Sequence, residues 1–274
     1  MATRWTNQII GIGQQALPAR IYRSETVSGA APVVLHMHAG AFVSGSADMG
    51  RTVSELLADA GAVVVSAEYP LAPQNRFPHA VETLFQALGW LRTQRLEGVS
   101  KKAGLFVAGE EAGGNLAAAL ALMARDQQEP ELAGQILFSP MLDPVLGTCS
   151  VREANAGPSG CQWADGWHQY LGSADKAAHP YAAPVNSSRL SGVAPALIIT
   201  AQDDLLRDES LRYARRLRES GVAVREHVLT APTHWPCALA NPQSDQRWTE
   251  QVRGILKSFL TDAVSNRRAA LSPA

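Results

Sequence analysis

Glu111 sits at the centre of Gly109-Glu110-Glu111-Ala112-Gly113, between an apolar run at Leu105–Ala108 and an Ala- and Leu-rich run after Gly114. Strand, sharp glycine turn and helix is the layout of a nucleophile elbow, G-x-S-x-G. Both glycines are in place, and a glutamate stands where the serine belongs. Downstream, "AQDDLLRDE" (201–209) and "APTHWP" (231–236) each follow an apolar strand-like run. A nucleophile position followed by an acid and then a histidine is a catalytic-triad order.

The elements that must position these residues are legible as alternating patterns. Residues 32–38, 62–69, 105–109, 135–140, 196–202 and 224–229 read as strands. Near-continuous apolar runs such as Val63–Val65 imply strands covered on both faces of a parallel sheet. Between them, 49–60, 79–94, 113–126, 208–219 and 244–262 read as helices. In 79–94, Val81, Leu84, Phe85, Leu88 and Leu91 recur at helical spacing. Strand–helix alternation implies βαβ units and a doubly wound, mostly parallel sheet.

Residues 143–190 break the pattern. They carry no strand signal and hold Trp163, Trp167, His168, Tyr170 and Tyr181. A stretch this long between two core strands is expected to form a cap or lid, with Trp163, Trp167 and Tyr170 lining the site. The rest of 1–274 is expected to be one domain.

Composition narrows the partners. The 274 residues are 46% hydrophobic and 18% charged, with a formal net charge of −1. No basic stripe is present, which argues against a nucleic-acid partner. Arg267 and Arg268 lie in "SNRRAALSPA", read as a solvated tail. No run of about 18 apolar residues predicts a membrane span, and the first residues lack a signal-peptide core. Cys149, Cys161 and Cys237 are odd in number and irregularly spaced, so free thiols in a cytoplasmic protein are expected. No metal-ligand spacing or phosphate loop appears, so no cofactor is expected. A small-molecule substrate is expected, and a homodimer is compatible with this reading.

With "HMHAGAFVSGS" (36–46) and "EYPLAPQNRFPHAVE" (68–82) added, four motifs stand in one order. The chain resembles the hormone-sensitive lipase-like family of α/β-hydrolases, which includes bacterial esterases and acetyl-hydrolases. That family carries H-G-G-G, "DYRLAPE", G-D/E-S-A-G-G-N, "DPLRDE" and a late H-G-F. The resemblance covers about residues 17–260 and implies an α/β-hydrolase fold. By position it implies that Gly40, Ala41 and Ala112 give oxyanion-hole N–H groups, beside Phe42. Asp204 matches the triad acid, with Asp203 as the alternative register, and His234 matches the base. Glu110 matches a structural acid, and His38 a loop-supporting residue. Asp208 reads instead as a helix N-terminal acid. The chain departs from the family at Glu111, at Ala39 and Ala41 in place of glycines, and in its short segment before the first motif.

A carboxylate at the elbow changes the chemistry. Attack on an ester would give an anhydride, so efficient serine-esterase chemistry is not expected. One option is general acid/base work by Glu111 with His234, serving elimination, isomerisation, cyclisation or direct activation of water. A second is carboxylate attack on an sp³ carbon, as in epoxide hydrolases and dehalogenases of the wider fold. A third is a ligand-binding protein that kept the pocket and lost catalysis. For the first option, pairing with a protonated His234 is expected to lower the Glu111 pKa and raise that of His234.

Overall fold

Val63–Ala67 (β4) and Leu105–Glu110 (β5) are buried along their whole length, as central strands of a sheet covered on both faces must be. The computed structural model describes residues 3–13, 15–25, 31–93, 96, 98–100, 103–153, 157–241 and 247–271. Around these two strands lie β1 (Thr3–Ile12), β2 (Gln15–Ser24), β3 (Val33–Met37), β6 (Gly134–Phe138), β7 (Ala196–Ala201) and β8 (Val224–Leu229). The eight strands form one sheet in the order β1-β2-β4-β3-β5-β6-β7-β8. From β4 to β8 every pairing is parallel, while β1 and β2 pair antiparallel with each other and β2 runs antiparallel to β4. This is the α/β-hydrolase fold.

Helices α1 (Arg51–Asp59), α2 (His79–Thr93), α3 (Ala112–Gln127), α6 (Arg207–Glu219) and α7 (Thr249–Leu271) cover the sheet. Two apolar clusters form the core. Leu35, Val107, Leu116 and Leu120 belong to one, and Val34, Phe106, Leu57 and Leu256 to the other. Neighbouring residues of one strand fall in different clusters because side chains alternate between faces.

All six expected strands and all five expected helices are present. The β1–β2 hairpin was not anticipated: only Ile10 and Ile12 of β1 are buried, so the strand carries almost no apolar pattern. The tail reading of "SNRRAALSPA" is corrected, because α7 continues to Leu271. The expected start of that helix, at 244–246, falls outside the described residues. The segment 143–190 holds α4 (Cys149–Glu153), α5 (Gly157–Leu171) and two short 3-10 turns, with no strand among the described residues. No described helix is long and apolar enough to cross a membrane.

Candidate active site

β5 ends at Glu110 and α3 begins at Ala112, so Glu111 alone makes the turn. Its backbone sits at φ 54, ψ −117, a conformation that costs a side-chain-bearing residue free energy. The surroundings over-determine it. The Glu111 N–H donates to Phe138 O at 3.1 Å, and its carbonyl accepts from Asn115 N at 3.2 Å and Met141 N at 2.9 Å. The flanking glycines are needed for close approach. A Cβ on Gly109 would lie 2.3 Å from the Gly113 carbonyl, and one on Gly113 would lie 2.0 Å from Met37 O. The turn therefore has the strained geometry of an elbow, with a carboxylate on it.

The loop after β3 faces this side chain. Gly40, Ala41 and Phe42 all have positive φ. A Cβ on Gly40 would lie 2.0 Å from Ser44 O, so the position needs glycine. Ala41 N–H donates to Glu111 Oε1 at 2.8 Å. The Gly40 N–H and the Trp163 indole N–H also favour the charged carboxylate, at weaker geometry. Two of the three expected oxyanion donors thus converge on the Glu111 carboxyl itself. Ala112, the third, opens α3, where the N–H groups of the first turn lack intrahelical partners.

Glu111 retains partial exposure as a residue. Burial of its carboxyl nonetheless pushes the pKa up to about 7, with Glu110 adding repulsion, against the opposing pull of the Ala41, Trp163 and Gly40 N–H groups. This corrects the expectation of a lowered pKa. Desolvation by burial outweighs the favourable donors.

His234 follows β8 with φ 59, and it is exposed. Among the described residues its imidazole makes no hydrogen bond. Its backbone is held instead by Asp203, whose Oδ2 accepts from Thr233 N at 2.7 Å and His234 N at 2.9 Å. Asp203 Oδ1 accepts from the Thr233 hydroxyl at 2.7 Å. Asp204 is buried and turned to other partners. Its Oδ2 accepts from Ser139 Oγ at 2.6 Å and from the Thr200 hydroxyl, and its Oδ1 from Leu206 N at 2.9 Å. The two acids therefore divide the expected role: Asp203 shapes the histidine loop, and Asp204 ties the ends of β6 and β7 together. Ser139 has a strained φ of 41, yet its hydroxyl is spent on Asp204.

Below the elbow, Glu110 is fully buried. Its Oε2 lies 2.7 Å from His36 Nε2, and its Oε1 accepts from Ala39 N at 3.1 Å. The other nitrogen of His36 meets Ser66 Oγ at 3.0 Å and Ser54 Oγ at 3.1 Å. This network anchors the start of the loop that carries Gly40 and Ala41. His38 supports the same loop: its Nδ1 lies 2.6 Å from Ala39 O, and its ring stacks on Tyr69 at 4.3 Å.

Trp163, Trp167, Tyr170 and Phe42 are buried together. Phe42 stacks on Tyr170 at 4.0 Å and lies 5.0 Å from Trp167. Helix α5 presses onto the loop so closely that a Cβ on Gly166 would lie 2.2 Å from Ala41 O. Sequence reasoning singled out Trp163 as a pocket-lining aromatic and missed its role as a donor toward Glu111. It also missed Tyr69, whose phenol donates to His38 O at 2.9 Å and is kept neutral by burial and by the charges of Glu111 and Glu110. The signal for Tyr69 was its place in "EYPLAP", within the second motif.

Comparison with known proteins agrees with this architecture. Residues 34–236 match a family described as the alpha/beta hydrolase fold. An arylesterase of Saccharolobus solfataricus is 31% identical over 253 residues, 89% of this chain and 79% of that protein. An ethyl acetate hydrolase of Pseudomonas putida is 35% identical over 231 residues, 80% of this chain and 70% of that protein. Among solved structures, a hyperthermophilic esterase from Pyrobaculum calidifontis superposes with a TM-score of 0.81 at 33% identity, covering 95% of this chain and 86% of that one.

Proposed function

The chain belongs to the α/β-hydrolase fold family, and from that premise we propose an enzyme in which Glu111 acts as general acid/base on a small carbonyl or ester-like metabolite. The observation that carries this is the Glu111 carboxyl itself, held on a strained elbow with a pKa raised to about 7. A catalytic acid/base is most effective when its pKa lies near the working pH, and an ordinary exposed glutamate falls well below that.

In the ionised form Oε1 is occupied by Ala41 N–H, which leaves Oε2 to take a proton. For direct hydrolysis, Glu111 removes a proton from a water as its oxygen bonds to the substrate carbonyl carbon. The tetrahedral intermediate then expels the alcohol, which receives the proton from Glu111. For elimination or isomerisation, the proton comes from the carbon next to the carbonyl. In either case His234, exposed on the loop after β8, is the second residue assigned to proton transfer in this reading. The N-terminus of α3 at Ala112 offers positive potential to the developing oxyanion. The relatives compared above are named for ester hydrolysis, which supports an ester-like or carbonyl substrate class. Residues 143–190 serve in this reading as the cap over the site, with Phe42, Trp163, Trp167 and Tyr170 forming its apolar wall.

Attack by Glu111 on an sp³ carbon is less favoured. The enzymes of the wider fold that attack this way use the shorter aspartate, and the extra methylene of Glu111 moves its oxygen by about a bond length, beyond the ~0.5 Å tolerance of a preorganised site. One observation favours a non-catalytic, ligand-binding protein: the His234 ring has no acid holding it, since Asp204 is engaged by Ser139 and Thr200.

Wild-type protein mixed with nitrophenyl acetate is expected to show no burst of nitrophenol and no trapped acyl-enzyme by mass spectrometry. A stoichiometric burst would locate a working nucleophile elsewhere and overturn the acid/base assignment. Slow turnover without a burst is the expected signature of water activation.

A further inference from the structure

We propose that the groove between α6 and the 143–153 segment is a binding site for a small amphiphilic anion, a carboxylate with a short hydrocarbon tail. The groove is open to solvent and offers about 690 Å³, room for a small organic ligand. It is lined by Asp208, Leu211, Arg212 and Arg215 from one face of α6, at i, i+3, i+4 and i+7 spacing. Val145 and Arg152 face them from the other side.

The charges in the groove do not cancel. Asp143 is paired with Arg212 at 3.0 Å. Asp208 is paired with Arg207 at 3.1 Å and accepts from Ser150 N at 2.8 Å. Among the described residues, Arg152 reaches only the Cys149 sulfur, at 3.7 Å, and Arg215 has no acidic partner. Two guanidinium groups therefore face the groove uncompensated, and a planar carboxylate is an anion that their fork geometry can pair bidentately. The apolar part of the ligand has its own surface. Val145, 78% exposed, and Leu211 both line the groove.

The site is separate from Glu111 and independent of the reaction assigned there. It adjoins the active-site loops through Ser150, whose hydroxyl donates to Leu205 O at 2.7 Å, one residue beyond Asp204.

The test uses hexanoate as probe, followed by NMR on the whole protein at low salt. Hexanoate is expected to shift the resonances of Val145, Gly147 and Leu211 saturably, and hexanol at least tenfold more weakly. In Arg152→Gln/Arg215→Gln, hexanoate affinity should fall at least tenfold while the thermal midpoint stays within about 2 °C, because both side chains are exposed. Equal affinity for hexanoate and hexanol would overturn the proposal. So would unchanged affinity in the double variant, or shifts confined to residues around Glu111.

Discussion

Glu111→Gln is expected to lower turnover of an accepted carbonyl or ester substrate by roughly 10²–10⁴-fold, the range that a positioned acid/base contributes. Glutamine keeps the shape and can still accept from Ala41 N–H, so substrate binding should change little. The wild-type rate should rise with pH through about 7 as Glu111 loses its proton, and that limb should vanish in the variant. The same substitution should stabilise the fold at alkaline pH. The folded-state pKa is raised from 4.5 to about 7, so the folded chain binds this proton more tightly than the unfolded chain does. That contribution is fully present below pH 4.5 and is lost as pH rises through 7. A neutral glutamine escapes the loss. At pH 8 the variant should therefore gain up to about 3 kcal/mol over wild type, read from urea midpoints, with little difference near pH 4. Normal turnover by Glu111→Gln would show that Glu111 is not the catalytic acid/base and would overturn the assignment.

Glu111→Ser should open the chemistry that the family resemblance implies, but only in part. Serine is shorter, so it vacates the Ala41 N–H and leaves that donor free for a substrate oxyanion. Nitrophenyl acetate should then give an acyl-enzyme burst absent in wild type. Turnover should stay far below that of an intact triad, by up to about 10⁴-fold, because no acid orients the His234 ring. Asp204 is saturated by Ser139, Thr200 and Leu206 N–H, and Asp203 by the backbone of the histidine loop. Adding Ser139→Ala removes one competitor for Asp204 and should raise the rate further. Absence of any burst in Glu111→Ser, with the fold intact, would mean that the loop donors do not form a usable oxyanion site.

The sheet was legible because its inner strands are short, near-continuous apolar runs, and the helices because their apolar residues recur at helical spacing. The β1–β2 hairpin escaped because residues 4–9 of the edge strand β1 are exposed on both faces and so carry no apolar alternation. The elbow was legible from Gly109 and Gly113, whose lack of a side chain is what lets α3 pack against β5 and β3. The direction of the Glu111 pKa was not. Motif order suggested a charged His234 as the dominant neighbour, whereas the folded chain surrounds the carboxyl with buried aromatic and backbone groups and leaves His234 in solvent. Which aspartate serves which role was equally hidden. Asp203 and Asp204 are adjacent in sequence, and only the folded loop decides which one turns inward.

The most direct test is the titration of the Glu111 carboxyl carbon by ¹³C NMR, assigned by difference from Glu111→Gln. The account predicts a midpoint near 7, set by burial against the Ala41 hydrogen bond. A midpoint near the ordinary value of 4.5 would contradict it, because Glu111 would then be a solvated carboxylate with no poise for proton transfer at neutral pH.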